Sequence, residues 1–449
     1  MRRNESPAKI KYGNQAADLF KLSFMTESDG LSRLGRRTQA PPISWLMDVA
    51  LSRPQMISLA AGFTDNESLP VREARELLHA LLKSPKTGRP ALQYGTTAGD
   101  PALRELTAQH TRLKDGAASS NAAYSPERMI ISNGSQQMLY MVTEAVCDEG
   151  DIVLVEDPTY FVYLGMLQSH GVDVRGVRMT EDGIDLAHLE TVLERLKKRG
   201  ELRRVKMLYL VSYYQNPTGT TTSFAKKAGA LQLLRKYEKA AGHAIYLLED
   251  AAYRELRFKG EDVKSALTAR GFEDRVIYAG TYSKPFATGT RVGFGILPGP
   301  VHTAAVRIKG NHDFGTSNLL QQLMARVLTS GRYEDHLRAL QRRYARKART
   351  MLMALKQYFP RDVEWVEPEG GLYFWAKLPL AMRSGVDSKL FKTAVARDIL
   401  YVPGELCYGN DPTRRKPDNA MRLSFGGGTE ANISAGIERL GGVLHKLMR

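Results

Sequence analysis

A rhythm between residues 129 and 297 constrains this chain more than any other feature. Short apolar runs recur at Met129–Ile131, Ile152–Val155, Val172–Val177, Val205–Val211, Ile245–Leu248 and Val276–Tyr278, with Arg291–Leu297 as a last strand. Between them lie helical patterns, among them Leu186–Leu196 and Phe224–Tyr237. Runs that are apolar at nearly every position suit strands buried on both faces. The alternation predicts a mostly parallel sheet covered by helices, an α/β fold. Polar residues stand just past the strand ends: Asn133, Asp157, Tyr213, Asp250 and Thr281. Ligands of open α/β sheets bind along that edge, although turn chemistry accounts for each residue singly.

After Pro300 the character changes. Residues 318–358 read as helix, broken near Gly331. Val363–Val366 and Leu372–Ala376 read as strands around Gly370-Gly371, residues 387–398 as helix, 403–420 as loop, Met421–Phe425 as strand and Glu430–Leu444 as a closing helix. Nearer the start, Ile43–Leu51 and residues 70–85 carry helical patterns, Met56–Ala61 reads as a strand ending at Gly62, and Leu92–Gly99 as a loop. Asp100 and Pro101 suit the N-cap and first position of another helix. The expected division is an N-terminal arm with part of a small domain over 1–62, a large domain over 63–310, and a small α+β domain over 311–449.

The chain has 449 residues, 43% hydrophobic and 25% charged, which allows a large core with no disulfide or metal staple. The net charge of +16 raises the question of nucleic acid. A nucleic-acid binder concentrates its charge. Here the basic groups are spread over Lys197-Lys198-Arg199, Arg203-Arg204, the repeat from Arg342 to Arg349, and Arg414-Arg415-Lys416, and they read as solvated faces. No nucleic-acid partner is expected. Cys147 and Cys407 form no framework or CxxC motif, so a reducing compartment is the default. No apolar region follows Met1-Arg2-Arg3, and no window approaches 18 apolar residues. The expectation is a cytoplasmic enzyme with no membrane partner. Residues 1–40 are polar apart from Phe20–Phe24, and are expected to include a segment that caps substrate.

The chemistry-bearing residues lie on the strand-end edge. Lys284, in Gly280-Thr-Tyr-Ser-Lys-Pro285, follows a strand and precedes Arg291, with hydroxyls at Thr281 and Ser283. It is a surface lysine or, in a pocket, an amine able to form an imine with an aldehyde. Asp250 ends an apolar strand, either facing a crevice or capping the next turn, and Tyr253 lies three residues on. Ser135-Gln136 at a helix start is a cap or an anion site. Asn216-Pro-Thr-Gly219 is a turn signal. Arg422, on a short strand, faces water or clamps a carboxylate. The dinucleotide GxGxxG and the phosphate-loop GxxxxGK[ST] are both absent.

In order, Ser135-Gln136, Asp157-Pro158-Thr159-Tyr160, Asn216-Pro-Thr-Gly219, Asp250-xx-Tyr253, Ser283-Lys284, Arg291 and Arg422 resemble the fold-type I pyridoxal-phosphate enzymes, class I/II aminotransferase branch. Ile57-Ser-Leu-Ala-Ala-Gly62, Leu92-Gln-Tyr94 and Ser132-Asn-Gly-Ser-Gln-Gln137 look most like the aminoadipate/kynurenine aminotransferase-like group. The resemblance implies a mostly parallel seven-stranded sheet in the large domain and pyridoxal 5'-phosphate as cofactor. It implies a homodimer with shared active sites, and ping-pong transfer of an amino group from an aromatic, aliphatic or aminoadipate-like L-α-amino acid to a 2-oxo acid.

By resemblance, Lys284 forms the imine with the cofactor and shuttles the proton, and Asp250 pairs with the ring nitrogen. Asn216 and Tyr253 bond the ring oxygen, and Tyr160 stacks on the ring. Ser135, Gln136, Thr281, Ser283 and Arg291 hold the phosphate, with Tyr94 lent by the neighbouring subunit. Arg422 binds the substrate α-carboxylate, and Gly62 lets backbone approach the substrate. Other pyridoxal-phosphate reactions at Cα (lyase, decarboxylase, racemase) remain as alternatives. Some relatives are MocR-type regulators with an N-terminal winged-helix domain. Only some 40–55 residues precede the resemblance here, too few for that domain. The chain departs from the family pattern at Phe286, Thr288 and Ser212, and at the bulky Tyr213-Tyr214.

Overall fold

The computed structural model describes residues 30–449. Phe20–Phe24 and most of the expected capping segment lie outside them. The main sheet has seven strands: β1 (Met129–Asn133), β2 (Ile152–Asp157), β3 (Asp173–Thr180), β4 (Val205–Val211), β5 (Tyr246–Asp250), β6 (Val276–Thr281) and β7 (Val292–Ile296). Their order is β1-β7-β6-β5-β4-β2-β3, and the two-residue strand Gly183–Ile184 extends the β3 edge. From β6 to β3 all neighbours are parallel. β7 runs antiparallel to both β6 and β1. Every residue of β6 and β7 is buried. Successive side chains point to opposite faces, so this burial means that both faces are covered.

The topology sets where the ligand edge lies. From β2 the chain steps outward to β3, then returns to place β4 on the other side of β2. That reversal opens a crevice beyond the carboxyl ends of β2 and β4. Register aligns those ends: Val211 pairs with Asp250 and Asp250 with Ala279. The segments after β2, β4, β5 and β6 therefore emerge side by side. A close approach brings a helix to the same edge. A Cβ on Gly293 would strike the backbone of Gly134 and Ser135, so β7 lies directly against the start of helix Gly134–Val146.

A second, antiparallel sheet holds β8 (Glu364–Val366), β9 (Tyr373–Lys377), β10 (Val402–Pro403) and β11 (Ala420–Ser424) in the order β8-β9-β11-β10. Its register puts Trp375 and Val402 on either side of Arg422. Residues near the start of the described chain join it. Ile57–Ser58 pairs in parallel with Ile399–Leu400, and Ser424 N donates to Leu59 O at 2.7 Å.

The break near Gly331 is real: Gly331 adopts φ 72 between helices Asn318–Thr329 and Arg332–Tyr358. Asp100 caps its helix through Leu103 N at 2.9 Å. Residues Pro85–Leu92 form a helix that sequence reading misses, because Pro90 inside it reads as a breaker. The expected strand over Met56–Ala61 contracts to Ile57–Ser58. The basic repeat of helix Arg332–Tyr358 is only partly a solvent face. Lys347 is buried, donating to Asp65 and, at 3.0 Å, to Gly426 O. Among the described residues no helix is long and apolar enough to cross a membrane.

The contact at Gly293 generates a stability test. Gly293→Ala should lower stability by about 1–3 kcal/mol, read as a fall in the urea midpoint, because backbone cannot move aside as a flexible side chain does. Gly289→Ala, where an added Cβ meets nothing within 4 Å, should leave the midpoint nearly unchanged.

Candidate active site

The crevice is closed by a continuous ring of hydrogen bonds and close contacts. Lys284, on the turn after β6, donates from Nζ to Gly62 O at 2.8 Å. A Cβ on Gly62 would sit 2.6 Å from the Tyr373 hydroxyl, so only glycine fits there. The Tyr373 hydroxyl lies 3.1 Å from that of Tyr253, and Asn216 Nδ2 lies 3.4 Å from Tyr253 on the other side. Asn216 Oδ1 accepts from Arg422 Nη1 at 2.8 Å, and Arg422 Nη2 donates to Ala60 O at 2.6 Å. Ala60 and Gly62 are two residues apart, which completes the ring.

Arg422 is only 2% exposed, so it is no water-facing strand arginine. Its guanidinium carbon lies 4.3 Å from the Tyr373 ring centroid and 5.4 Å from that of Phe161. Its Nε is buried without a partner among the described residues. A buried cation with a spare donor suits an incoming carboxylate. Lys284 sits in the same field. Burial, with Arg422 and Arg291 nearby, lowers its amine to about 8. Lysine with a depressed pKa is the form suited to imine and proton-transfer chemistry.

Asp250 lies at the end of β5, 3% exposed. Its Oδ2 accepts from the Tyr209 hydroxyl at 2.9 Å and its Oδ1 from Ala252 N at 3.0 Å. Turn capping is thus part of its role, as the bland sequence reading held. Burial still raises its carboxyl to about 6 against those two bonds. No lysine or arginine pairs with it in the described residues, so a cation delivered to the crevice would find an uncompensated buried carboxylate. The charges of Asp250, Arg422 and Arg291 all act on Tyr160, which places its ring among them.

The opposite end of the crevice is built for an anion. Helix Gly134–Val146 begins without a side-chain cap, because Asn133 Nδ2 donates to Asp313 instead. Ser135 and Gln136 occupy its first turn, where free N–H groups and the helix dipole favour negative charge. Arg291 takes the left-handed conformation, φ 52, and a Cβ on Gly134 would fall 2.7 Å from its Nη2. Its guanidinium therefore lies over the helix start. Thr281 Oγ1 accepts from Ser283 N at 3.0 Å, folding both hydroxyl residues into one turn before Lys284.

Sequence reasoning missed Tyr373 and Tyr209. Tyr209 sits within β4, where alternation marks it as core. Tyr373 follows the Gly370-Gly371 turn, and only the proximity of a second glycine pair to an aromatic hints at a site. The departures from the family pattern are absorbed by packing. Tyr213 is sandwiched between Lys227 Nζ at 4.0 Å and Arg254 at 4.9 Å from its ring centroid. Tyr214, at φ 44, fills the space over Gly370 and Gly371. Phe286 meets the His336 ring edge-on at 5.6 Å. Tyr94 is the one predicted site residue that the crevice does not gather. It is 82% exposed and touches Phe314, ring to ring, at 5.5 Å.

A lysine, an aspartate, an arginine and an anion cradle converging beyond a parallel sheet define a group-transfer enzyme of the α/β class. The chain belongs to the family described as Aminotransferase class I and II, which it matches over residues 54–440, and it is an aminotransferase. It is 33% identical to Aromatic-amino-acid aminotransferase 1 of Thermococcus litoralis, over 88% of this chain and 89% of that one. Among solved structures it resembles kynurenine aminotransferase from Pyrococcus horikoshii, in complex with PMP, at 29% identity and TM-score 0.85, covering 95% of this chain and 99% of that one. It also resembles LysN, the α-aminoadipate aminotransferase of Thermus thermophilus, complexed with N-(5'-phosphopyridoxyl)-L-leucine. There the identity is 31% and the TM-score 0.80, with 94% and 99% covered.

Asp250 should betray itself in the pH dependence of the cofactor-free protein. Folded Asp250 holds its proton to about pH 6, whereas an unfolded aspartate releases it near 3.8. The folded state therefore binds more protons within that window, and stability falls as pH rises through it. The loss is on the order of 3 kcal/mol at 1.36 kcal/mol per pKa unit. Asp250→Asn should gain stability relative to wild type as pH rises from 4 to 7, measured by urea unfolding. Parallel stability curves for the two proteins would contradict the assignment.

Proposed function

We propose that this aminotransferase uses pyridoxal 5'-phosphate to move the amino group of an L-α-amino acid with an aromatic or aliphatic side chain to a 2-oxo acid, by a ping-pong route. The observation that carries this reading is the lowered Lys284 amine, held on one hydrogen-bonded ring with Tyr253, Asn216 and Arg422 and facing a buried, unpaired Asp250. The donor set fits the cofactor group by group. The uncapped helix start with Ser135, Gln136, Thr281, Ser283 and Arg291 would take its phosphate. Tyr160 would lie on its ring, Asn216 and Tyr253 would bond its ring oxygen, and Asp250 would pair with its ring nitrogen. When bound, the cofactor supplies an aldehyde that captures the amine and a ring that accepts the electron pair left at Cα.

The chain's own residues do the rest. Arg422 holds the substrate α-carboxylate, giving up its bond to Ala60 O or Asn216 as the better acceptor arrives. That fixes Cα near Lys284. Lys284 Nζ takes the α-proton and returns a proton later in the transfer, which a pKa near neutrality favours. Asp250, kept anionic by a cationic partner, stabilises the charge that develops. Tyr253 and Tyr373 hold Asn216 and Arg422 in register and crowd water from the face beside Gly62. Support for an apolar side chain comes from a cavity of about 220 Å³ beside the Ala60–Gly62 segment. Met47, Leu51, Ala61 and Phe63 are among its lining residues, and none of the lining is charged.

The exposed Tyr94 supports a homodimer in which each subunit lends this tyrosine to the other's phosphate end. The cysteine pattern of the sequence supports a cytoplasmic setting. We also assign 63–310 to a large cofactor domain and the flanking segments 1–62 and 311–449 to a small one, supported by the membership of the two sheets.

The decisive measurement is the visible spectrum of cofactor-loaded protein while L-amino acids are added without an oxo acid. Conversion to the pyridoxamine form with release of the matching 2-oxo acid is expected, fastest for aromatic and aliphatic donors. A different product would favour lyase, decarboxylase or racemase chemistry. Asp250→Ala should retain Lys284 but slow single-turnover proton abstraction by about 10²-fold or more. For the dimer, gel filtration should give twice the chain mass. Tyr94→Phe should weaken cofactor retention without dissociating the dimer. A fully active monomer would remove the shared-site reading.

A further inference from the structure

The basic cluster Arg414-Arg415-Lys416 reads from sequence as a solvated face, and the fold assigns one of its members differently. Arg415 and Lys416 are exposed, but Arg414 is half-buried and turned inward. Its Nε and Nη2 donate to the two carboxylate oxygens of Asp157 at 2.5 and 2.6 Å, a bidentate fork. Asp157 ends β2, three residues before Tyr160. Arg414 belongs to the loop between β10 and β11, the two strands that pair beside Arg422. The fork therefore ties the Tyr160 strand end to the strand that carries the substrate-carboxylate arginine.

Other bonds dock the same loop on the same strand ends. Thr159 N donates to Cys407 O at 2.8 Å. Gly176 N, on β3 beside Asp157, donates to Asp411 Oδ2 at 2.9 Å. Arg414 Nη2 reaches back to Gly409 O at 3.2 Å and its guanidinium lies 5.4 Å from the Tyr408 ring centroid, which shapes the loop from within. Across the same boundary, Arg422 lies over the ring of Phe161. A Cβ on Gly176 would fall 2.6 Å from Asp157 Oδ2, so the carboxylate is walled in on its strand side. Two arginines from the small sheet thus grip consecutive parts of one segment, Arg414 at Asp157 and Arg422 at Phe161.

We propose that Asp157 and Arg414 are positioning residues, a clamp that fixes Arg422 relative to Tyr160 and so sets how tightly the amino-acid substrate is held. The proposal rests on the reading of Arg422 as the carboxylate binder. Neither clamp residue is placed to touch the substrate or cofactor. Breaking the clamp should leave the chemistry intact and loosen the site.

The test uses the full-length protein with Arg414→Ala, Arg414→Lys, Asp157→Asn and the exchanged pair Asp157→Arg/Arg414→Asp. In Arg414→Ala and Asp157→Asn, KM for the best amino-acid donor should rise about tenfold while kcat stays within about threefold. Arg414→Lys should recover only part of this, because an ammonium cannot make the fork. The exchanged pair should recover more than either of its single changes. A merely structural role would lower the active fraction, hence kcat, and leave KM unmoved. Hydrogen exchange on the cofactor-free protein supplies the second readout. In Arg414→Ala the amides of Thr159 and Gly176 should lose protection together with residues 407–414, while those of β4 keep theirs. KM within twofold of wild type, or exchange confined to 407–414, overturns the clamp. Wild-type enzyme that transfers no amino group overturns the functional reading instead, and the exchange result still decides the clamp.

Discussion

The site depends on one buried guanidinium. Arg422 leaves water at a cost that only well-placed acceptors offset, and the two that it finds come from distant parts of the chain. Asn216 belongs to the turn after β4, and Ala60 to the segment before the first long helices. The same cation lies over Phe161 and Tyr373. Removing it would leave Asn216 and the Ala60 carbonyl short of a donor in an enclosed place. The edge of the main sheet, the small sheet and the entry segment are therefore held in one arrangement by the group that meets the substrate.

Electrostatics follows from that arrangement. Arg422 and Arg291 stand on either side of Lys284 and, with burial, press its amine toward neutrality. Asp250 is out of their direct reach and keeps its own charge problem, which two hydrogen bonds relieve only in part. A pocket with a spare anion at one end, spare donors at the other and a low-pKa amine between is costly for a protein to keep empty. Its groups make sense together for a ligand that brings both a cation and a phosphate.

Much of this was legible in the residues. The apolar runs predicted the parallel sheet because a strand covered on both faces has no polar position to spare. Asp250, Lys284 and Asn216 stood out because a polar residue immediately after such a run has only the sheet edge to occupy. Tyr209 and Tyr373 were hidden because an aromatic in a strand looks like core whether its hydroxyl meets an aspartate or nothing. Pro90 misled because the penalty for proline inside a helix is real, yet packing of a short helix outweighs it. Lys347 and Arg414 misled because charge runs do sit in water unless a carboxylate from elsewhere in the chain reaches them.

The division is physical. Local sequence determined what depends on neighbours in the chain: strand periodicity, the cap at Asp100, the hinge at Gly331, and the order of motifs that resembles the aminotransferases. Tertiary structure decided what depends on distance through space. It put Gly62 under Tyr373, turned Arg422 inward, set the Arg291 guanidinium over the start of a helix that begins far earlier in the chain, and left Tyr94 on the outside. Burial and field strength come from atoms that the chain brings together only on folding. The pKa of Lys284 and the unpaired charge of Asp250 therefore belong to the fold.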